Sequence, residues 1–219
     1  QDVDGRYRGL DHEIHEAEEG RTNYTIFSVW DTYRALHPLF NLICPERSRD
    51  IVASMLDHYR QSVHHILPVW SHMANENWCM IGYHGVSVVG DALDKGIGID
   101  RRTALEAMVR SSNINAKGSD DYVANGFIPS ENTRESVSCT LEYAYDDWAI
   151  ARMAEALGCN DTAREYYRPA LNYVNVFDGS TRFFRGRRSD GGWTTPFEEF
   201  ATGRDYTEAT PWHYRFFAP

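Results

Sequence analysis

The stretch Glu135-Ser-Val-Ser-Cys-Thr-Leu-Glu-Tyr-Ala-Tyr-Asp-Asp-Trp148, continued by Ala-Ile-Ala-Arg-Met-Ala-Glu-Ala-Leu157 and followed by Gly158, decides the fold class. Val137, Leu141, Ala144, Tyr145, Trp148 and Ala149 recur at three- and four-residue spacing, which is the period of one helix face, and a glycine just past the last apolar position ends the helix. Outward from it, Arg47 to Ile66 carries a second stripe, Ile51, Val52, Met55, Leu56, Tyr59, Val63 and Ile66, closed by Pro68. Thr103-Ala-Leu-Glu106 has capping-box spacing and opens a shorter helix through Met108 and Val109. Ile81 to Ile97 is small and apolar nearly throughout, as suits a helix packed on all sides. Asn160 or Asp161 caps a further helix through Tyr166, Tyr167, Leu171 and Val174, kinked at Pro169 and ended by Gly179.

Two long loops remain, at about 112–134 and 178–205, and loops of that length in a compact domain often carry function. No series of alternating strands is present, so the fold class is all-α with long connecting loops. Helical hairpins in succession, inner helices apolar all round and outer ones amphipathic, are the pattern of an α/α toroid.

Composition bounds the function. With 219 residues, 42% hydrophobic and 25% charged, the chain has the makings of an ordinary packed core rather than a disordered segment. A net charge of −10 argues against nucleic acid, whose phosphates need clustered Lys and Arg, and favours a neutral or cationic partner. The aromatic share, 13% with 6 Trp and 13 Tyr, suits sugar stacking as well as core filling. No run is long enough for a membrane span and no signal segment opens the chain, so the compartment is not legible. Cys44, Cys79, Cys139 and Cys159 are widely spaced and read as buried free thiols rather than a disulfide or zinc framework. The chain stops at Phe216-Phe217-Ala218-Pro219 as though cut inside a fold, and a fragment is expected.

Three segments join carboxylates to aromatic residues, the combination glycoside hydrolysis requires: two carboxyl groups for acid and base work and rings to hold the sugar. Ser28-Val-Trp30-Asp31-Thr-Tyr-Arg-Ala-Leu-His-Pro38 is one, although Asp31 also fits a helix start. In Tyr143-Ala-Tyr-Asp146-Asp147-Trp148 the adjacent acids point about 100° apart on the helix, so one at most faces a pocket and the other meets solvent or an Arg. The third, Asp205-Tyr-Thr-Glu208-Ala-Thr-Pro-Trp212-His-Tyr214, offers a carboxylic acid among rings, where desolvation favours the protonated form a general acid needs. Thr207 and Glu208 serve equally well as helix-cap residues on spacing alone. His84 and Asp91, two helical turns apart, share a face as either a buried polar pair or pocket residues. His12-Glu-Ile-His15-Glu16 reads as a solvated helix face before a metal site. Asn23-Tyr-Thr25 and Asn160-Asp-Thr162 match the glycosylation pattern, which arises readily by chance.

The order of these segments resembles glycoside hydrolase family 92 along almost the whole chain. The resemblance rests on Phe27–Pro38, Ile81-Gly-Tyr-His-Gly-Val-Ser-Val-Val-Gly-Asp-Ala92 with Lys95-Gly96, Glu135–Trp148, Asn175-Val-Phe-Asp178 and Asp205-Tyr-Thr-Glu208. It implies a calcium-dependent, inverting exo-α-mannosidase, α-1,2-linked mannose its expected substrate, built from an N-terminal β-sandwich and an (α/α)6 barrel. This chain corresponds to the first part of the barrel, with the sandwich and the C-terminal part of the barrel lying elsewhere. Carried over by position, Glu208 resembles the general acid. Trp30 and Asp31 resemble residues that hold the terminal mannose, with His84, Asp91 and Asp147 near or behind the pocket and Trp212 a wall. The catalytic base and the Ca2+ ligands follow the general acid in the family, so no metal ligand is assigned here and the chain alone is expected to be inactive. The implied partner is a mannose-terminated oligosaccharide or glycoprotein glycan, and family habit implies a secreted, periplasmic or cell-surface location. Another toroid glycosidase or lyase, or a non-catalytic carbohydrate-binding helical fragment, are the alternatives. The chain departs from the family's Gly-Asn-Ala-Trp-Gln-Tyr after the acid, reading Ala209-Thr-Pro-Trp-His-Tyr214.

Overall fold

The computed structural model describes residues 1–114 and 117–217, which are mostly helical and divide into two compact units. The first comprises Gln1–Asn113 and Arg152–Asn160, and the second the remaining described residues.

The first unit runs β1 (Arg6–Arg8), β2 (Ile14–Glu16), α1 (Val29–Thr32), α2 (Leu36–Ile43), α3 (Pro45–Gln61), β3 (Ser71–His72), β4 (Asn75–Glu76), α4 (Gly85–Asp94) and α5 (Arg101–Ser112). Helix α4 packs on α2, α3 and α5, so Val86, Val88, Val89 and Ala92 are at most 2% exposed and form the centre of the core. This is the helix packed on all sides that the small apolar run predicts, but it starts at Gly85, with His84 as its N-cap residue. Helix α3 buries Ile51, Val52, Met55, Leu56 and Tyr59 as expected. It ends earlier than the stripe suggests: Ser62 is extended, and Val63 is 76% exposed. Helix α5 is capped by Asp100, whose carboxylate accepts the N–H groups of Arg102 and Thr103, so the cap lies three residues before the expected Thr103. The His12–His15 segment is not helical. It belongs to the β1–β2 hairpin, where His15 pairs with Tyr7 across the strands and bonds Asp11.

The second unit holds α6 (Ser119–Asn125), most of α7 (Ser136–Ala156), α8 (Asn160–Tyr167), a 3-10 helix (Pro169–Val176), β5 (Phe177–Asp178), β6 (Phe183–Phe184) and α9 (Pro211–Tyr214). Pro169 has no N–H to donate, and it breaks rather than kinks the expected helix, the chain continuing as the tighter 3-10 form. The long loop after residue 112 encloses α6, bounded by left-handed Gly118 and Gly126. Around α7 the core joins Val137 and Leu141 to Val176, Phe184, Tyr206 and Tyr214. Each such aliphatic or aromatic side chain contributes roughly 1.5–3 kcal/mol by leaving water. Gly158 ends α7 in the left-handed conformation, as its sequence position predicts.

Among the described residues six strands form three two-stranded hairpins, which leaves the helical class unchanged. All four cysteines are free, but only Cys139 is buried; Cys44 is half-buried, and Cys79 and Cys159 are exposed. Among the described residues no helix is long and apolar enough to cross a membrane.

Burial lowers His37 from its ordinary value near 6.5 to about 4, while its Nε2 lies 3.0 Å from the Thr32 hydroxyl. Between those two pH values the unfolded chain binds a proton that the folded chain refuses, so the stability His37 supports is present above about 6.5 and lost as pH falls to about 4. Denaturant unfolding at pH 7 and pH 4.5 should show this loss, and His37→Gln should diminish it. An equal loss in the variant would show that His37 carries none of it.

Candidate functional site

The Asp205–Glu208 segment is fixed by the start of α7. A helix leaves its first N–H groups without intrahelical partners. Here the Asp205 carbonyl accepts those of Val137 and Ser138, at 3.1 and 3.2 Å. The Asp205 carboxylate accepts the hydroxyls of Ser130 and Ser136, at 2.5 and 3.0 Å. The Tyr206 hydroxyl donates to the Phe184 carbonyl at 2.7 Å, and the Thr207 N–H donates to the Ser138 hydroxyl at 2.9 Å. Gly186 passes so close that a Cβ there would lie 2.3 Å from an Asp205 carboxylate oxygen. Asp205, Tyr206 and Thr207 are all buried.

Glu208 emerges from this platform exposed, with φ +47°. A non-glycine residue in that region costs on the order of 1–3 kcal/mol, so the surrounding bonds hold it there against its preference. Its exposure differs from the desolvated setting expected from the sequence, and the rings near it in sequence lie elsewhere: Tyr206 and Tyr214 belong to the core. Trp212, 39% exposed, forms an aromatic surface with Phe200 and Phe216, ring centroids 5.5 and 6.1 Å away, and with the Arg215 guanidinium at 5.4 Å. His213 completes a capping box with Thr210.

In the first unit, Trp30 and Asp31 lie on the single turn of α1, Trp30 half-buried and Asp31 exposed. The Ser28 hydroxyl donates to Asp31 at 2.5 Å, and the Arg34 guanidinium lies over the Trp30 ring at 4.9 Å. Val29, next to them, is 1% exposed and anchors the turn. Tyr33 stacks on His84 with centroids 3.9 Å apart and planes 15° apart, which joins two candidate segments distant in sequence. Gly82 makes room for the His84 ring: with φ +80°, it has no Cβ, and one placed there would sit 2.3 Å from Nε2. His84 is 1% exposed, so it supports Tyr33 from behind.

Asp91 does not join them. Its carboxylate accepts from the Asn41 amide at 2.7 Å and from Lys95, an arrangement that ties α4 to α2. Asp146 and Asp147 are both buried, so neither meets solvent as the helical spacing suggested. Asp147 accepts the Tyr122 hydroxyl at 2.8 Å, linking α7 to α6, and burial beside that carboxylate raises the phenol well above its ordinary range. Among the described residues no group of three or more His, Cys, Asp or Glu is placed to hold a metal ion. The calcium implied by the resemblance therefore finds no acidic cage here. A groove of about 860 Å³ lies beside the β1–β2 hairpin, lined in part by Asp2, Arg6, His12 and Met73, and it includes none of the residues carried over as catalytic or sugar-holding.

The chain matches the glycosyl hydrolase family 92 catalytic domain over residues 1–219, and it belongs to that family. Among solved structures, the family GH92 alpha-mannosidase BT3965 from Bacteroides thetaiotaomicron is 49% identical with a TM-score of 0.91, over 99% of this chain and 29% of that one. The same mannosidase in complex with mannoimidazole aligns at 47% identity and TM-score 0.92, over 99% of this chain and 30% of that one. The family GH92 inverting mannosidase BT2199 from the same organism is 35% identical with a TM-score of 0.87, over 95% of this chain and 29% of that one. This chain thus spans less than a third of the length of these relatives. No curated protein matches.

If the platform under Glu208 rests on Asp205, Asp205→Ala should strand two buried serine hydroxyls and cost about 2–4 kcal/mol, read as a lower unfolding midpoint. An unchanged midpoint would show that the segment is held by its backbone bonds alone.

Proposed function

We propose that this chain is the part of an exo-α-mannosidase that supplies the general acid, Glu208, and part of the pocket for the terminal mannose. The observation that carries the reading is Glu208, exposed on a strained left-handed backbone above a buried, hydrogen-bonded platform. Backbone strain held against preference is a common mark of a functional position. Membership of the family and the mannoimidazole complex of a 47% identical relative support mannose as the sugar recognised.

In this reading Glu208 protonates the leaving oxygen as the glycosidic bond breaks, and Trp30 and Asp31 hold the terminal sugar by its ring face and hydroxyls. His84 acts through Tyr33, and Trp212 stacks on the leaving-group side. Asp91 and Asp147 act as supports that fix helices rather than touch sugar. Inversion requires a second carboxylate about 6.5–9.5 Å from the acid, with a water between it and the sugar. We assign that base, and the ligands of a calcium ion, to other segments of a longer polypeptide. There the helices of this chain form the first part of an (α/α)6 barrel preceded by a β-sandwich. When bound, calcium would grip sugar hydroxyls and supply Lewis-acid stabilisation. The 35% identical relative described as inverting supports the stereochemical course.

Release of mannose from α-1,2-mannobiose tests the reading. The complete polypeptide should release it, lose activity to a chelator and regain it with calcium, whereas residues 1–219 alone should release none. Glu208→Gln should lower kcat by about two to four orders of magnitude with the fold retained. Turnover of other glycosides but not mannosides, or an unimpaired Glu208→Gln enzyme, would overturn the assignment.

A further inference from the structure

Glu76 lies at the end of the short β3–β4 hairpin, in a stretch to which no role has been given. Its side chain is 1% exposed, yet its carboxylate is met by three backbone donors. It accepts the backbone N–H groups of Val69 at 2.9 Å, Trp70 at 2.8 Å and Trp78 at 3.1 Å. From the same strip the Val69 carbonyl accepts the Val29 N–H and the Ser71 carbonyl accepts the Phe27 N–H, both at 3.2 Å. Phe27 and Val29 flank Ser28, and Trp30 and Asp31 follow directly. One buried carboxylate thus fixes residues 69–78, and that strip fixes the backbone from which Trp30 and Asp31 project. His58 of α3 closes the remaining side, its Nε2 3.6 Å from Glu76 and its Nδ1 3.1 Å from the Ile66 carbonyl.

From this relay we infer that Glu76 is a positioning residue for the sugar-holding turn of α1, acting on Trp30 and Asp31 through the 69–71 strip without touching substrate. The inference rests on the mannosidase reading above. A carboxylate is needed because all three partners are donors. Glutamine has the same length but presents its own N–H2 to one of them, which leaves two donors face to face in a buried site.

Glu76→Gln in the complete polypeptide should therefore raise KM for an α-mannoside, and the Kd for mannoimidazole, on the order of tenfold or more, with kcat changed far less. Glu208→Gln should do the reverse, lowering kcat. A comparison variant, Asp50→Asn, removes another buried carboxylate of the same unit, one that accepts the Thr22 N–H at 3.1 Å and does not bond residues 69–78. It should lower the unfolding midpoint and leave KM unchanged. A folded Glu76→Gln enzyme with unaltered KM and Kd, or the same KM rise in Asp50→Asn, would overturn the inference. If the complete polypeptide neither cleaves mannosides nor binds mannoimidazole, the mannosidase reading fails separately. Hydrogen exchange at the Phe27 and Val29 amides then decides the relay: faster exchange in Glu76→Gln supports it, and unchanged protection overturns it.

Discussion

The N–H groups at the start of α7 need acceptors, and the way this chain supplies them shapes its second unit. A 21-residue helix buried along most of its length cannot leave those donors unpaired without losing on the order of 1–3 kcal/mol apiece. The acceptor is a backbone carbonyl from a loop almost 70 residues downstream, that of Asp205. Satisfying the helix therefore brings the far end of the unit back to it. Once Asp205 is there, its carboxylate satisfies Ser130 and Ser136, Thr207 bonds Ser138, and Tyr206 enters the core. The next residue, Glu208, has little freedom left and accepts a left-handed backbone. Helix stability and the placing of the Glu208 carboxylate are consequences of one set of hydrogen bonds.

The first unit solves a similar problem by other means. Trp30 and Asp31 sit on a single helical turn, too short to hold itself, so rigidity is imported. Val29 is buried, the preceding backbone is bonded to residues 69–71, and Tyr33 lies flat on His84, itself seated over a glycine. In both units long helices serve as anchors and short segments carry the candidate side chains Trp30, Asp31 and Glu208, the division of labour expected when precise side chains lie on loops over a rigid scaffold.

How far the sequence reveals this depends on whether the signal is local. The helices were legible because their apolar spacing and stop residues lie within one segment, as with Val137 to Gly158. Errors fell at the ends, where Asp100 outcompetes Thr103 as a cap by accepting two N–H groups and where Pro169 breaks the helix outright, and in His12–His15, which is a hairpin rather than a helix face. The chemistry-bearing segments were legible as carboxylates among rings. What each acid does was not, because Asp91 and Asp147 are defined by partners 50 and 25 residues away in sequence. Glu76 gave no local signal at all: its donors are backbone groups, which every sequence has. Likewise the φ of Glu208 cannot be read from its own neighbours, since it follows from how Asp205 is held.

The departures from the family pattern after Glu208 can be judged in the same terms. Pro211 occupies the first position of α9, where a missing N–H costs nothing and a fixed φ helps. His213 stands three residues past Thr210, where its Nδ1 accepts the Thr210 N–H at 3.1 Å, the acceptor role that a glutamine fills in a capping box. Tyr214 still reaches back to α7, donating to the buried Glu142 at 2.7 Å. These bonds keep the backbone of this short helix intact and leave Trp212 presented on its outer side. Of the changed positions, Thr210 and Pro211 are buried and His213 is exposed, so His213 is the one that alters the outer side of the helix. The hydrogen-bonded platform under Glu208 and the surface that α9 presents can therefore vary separately.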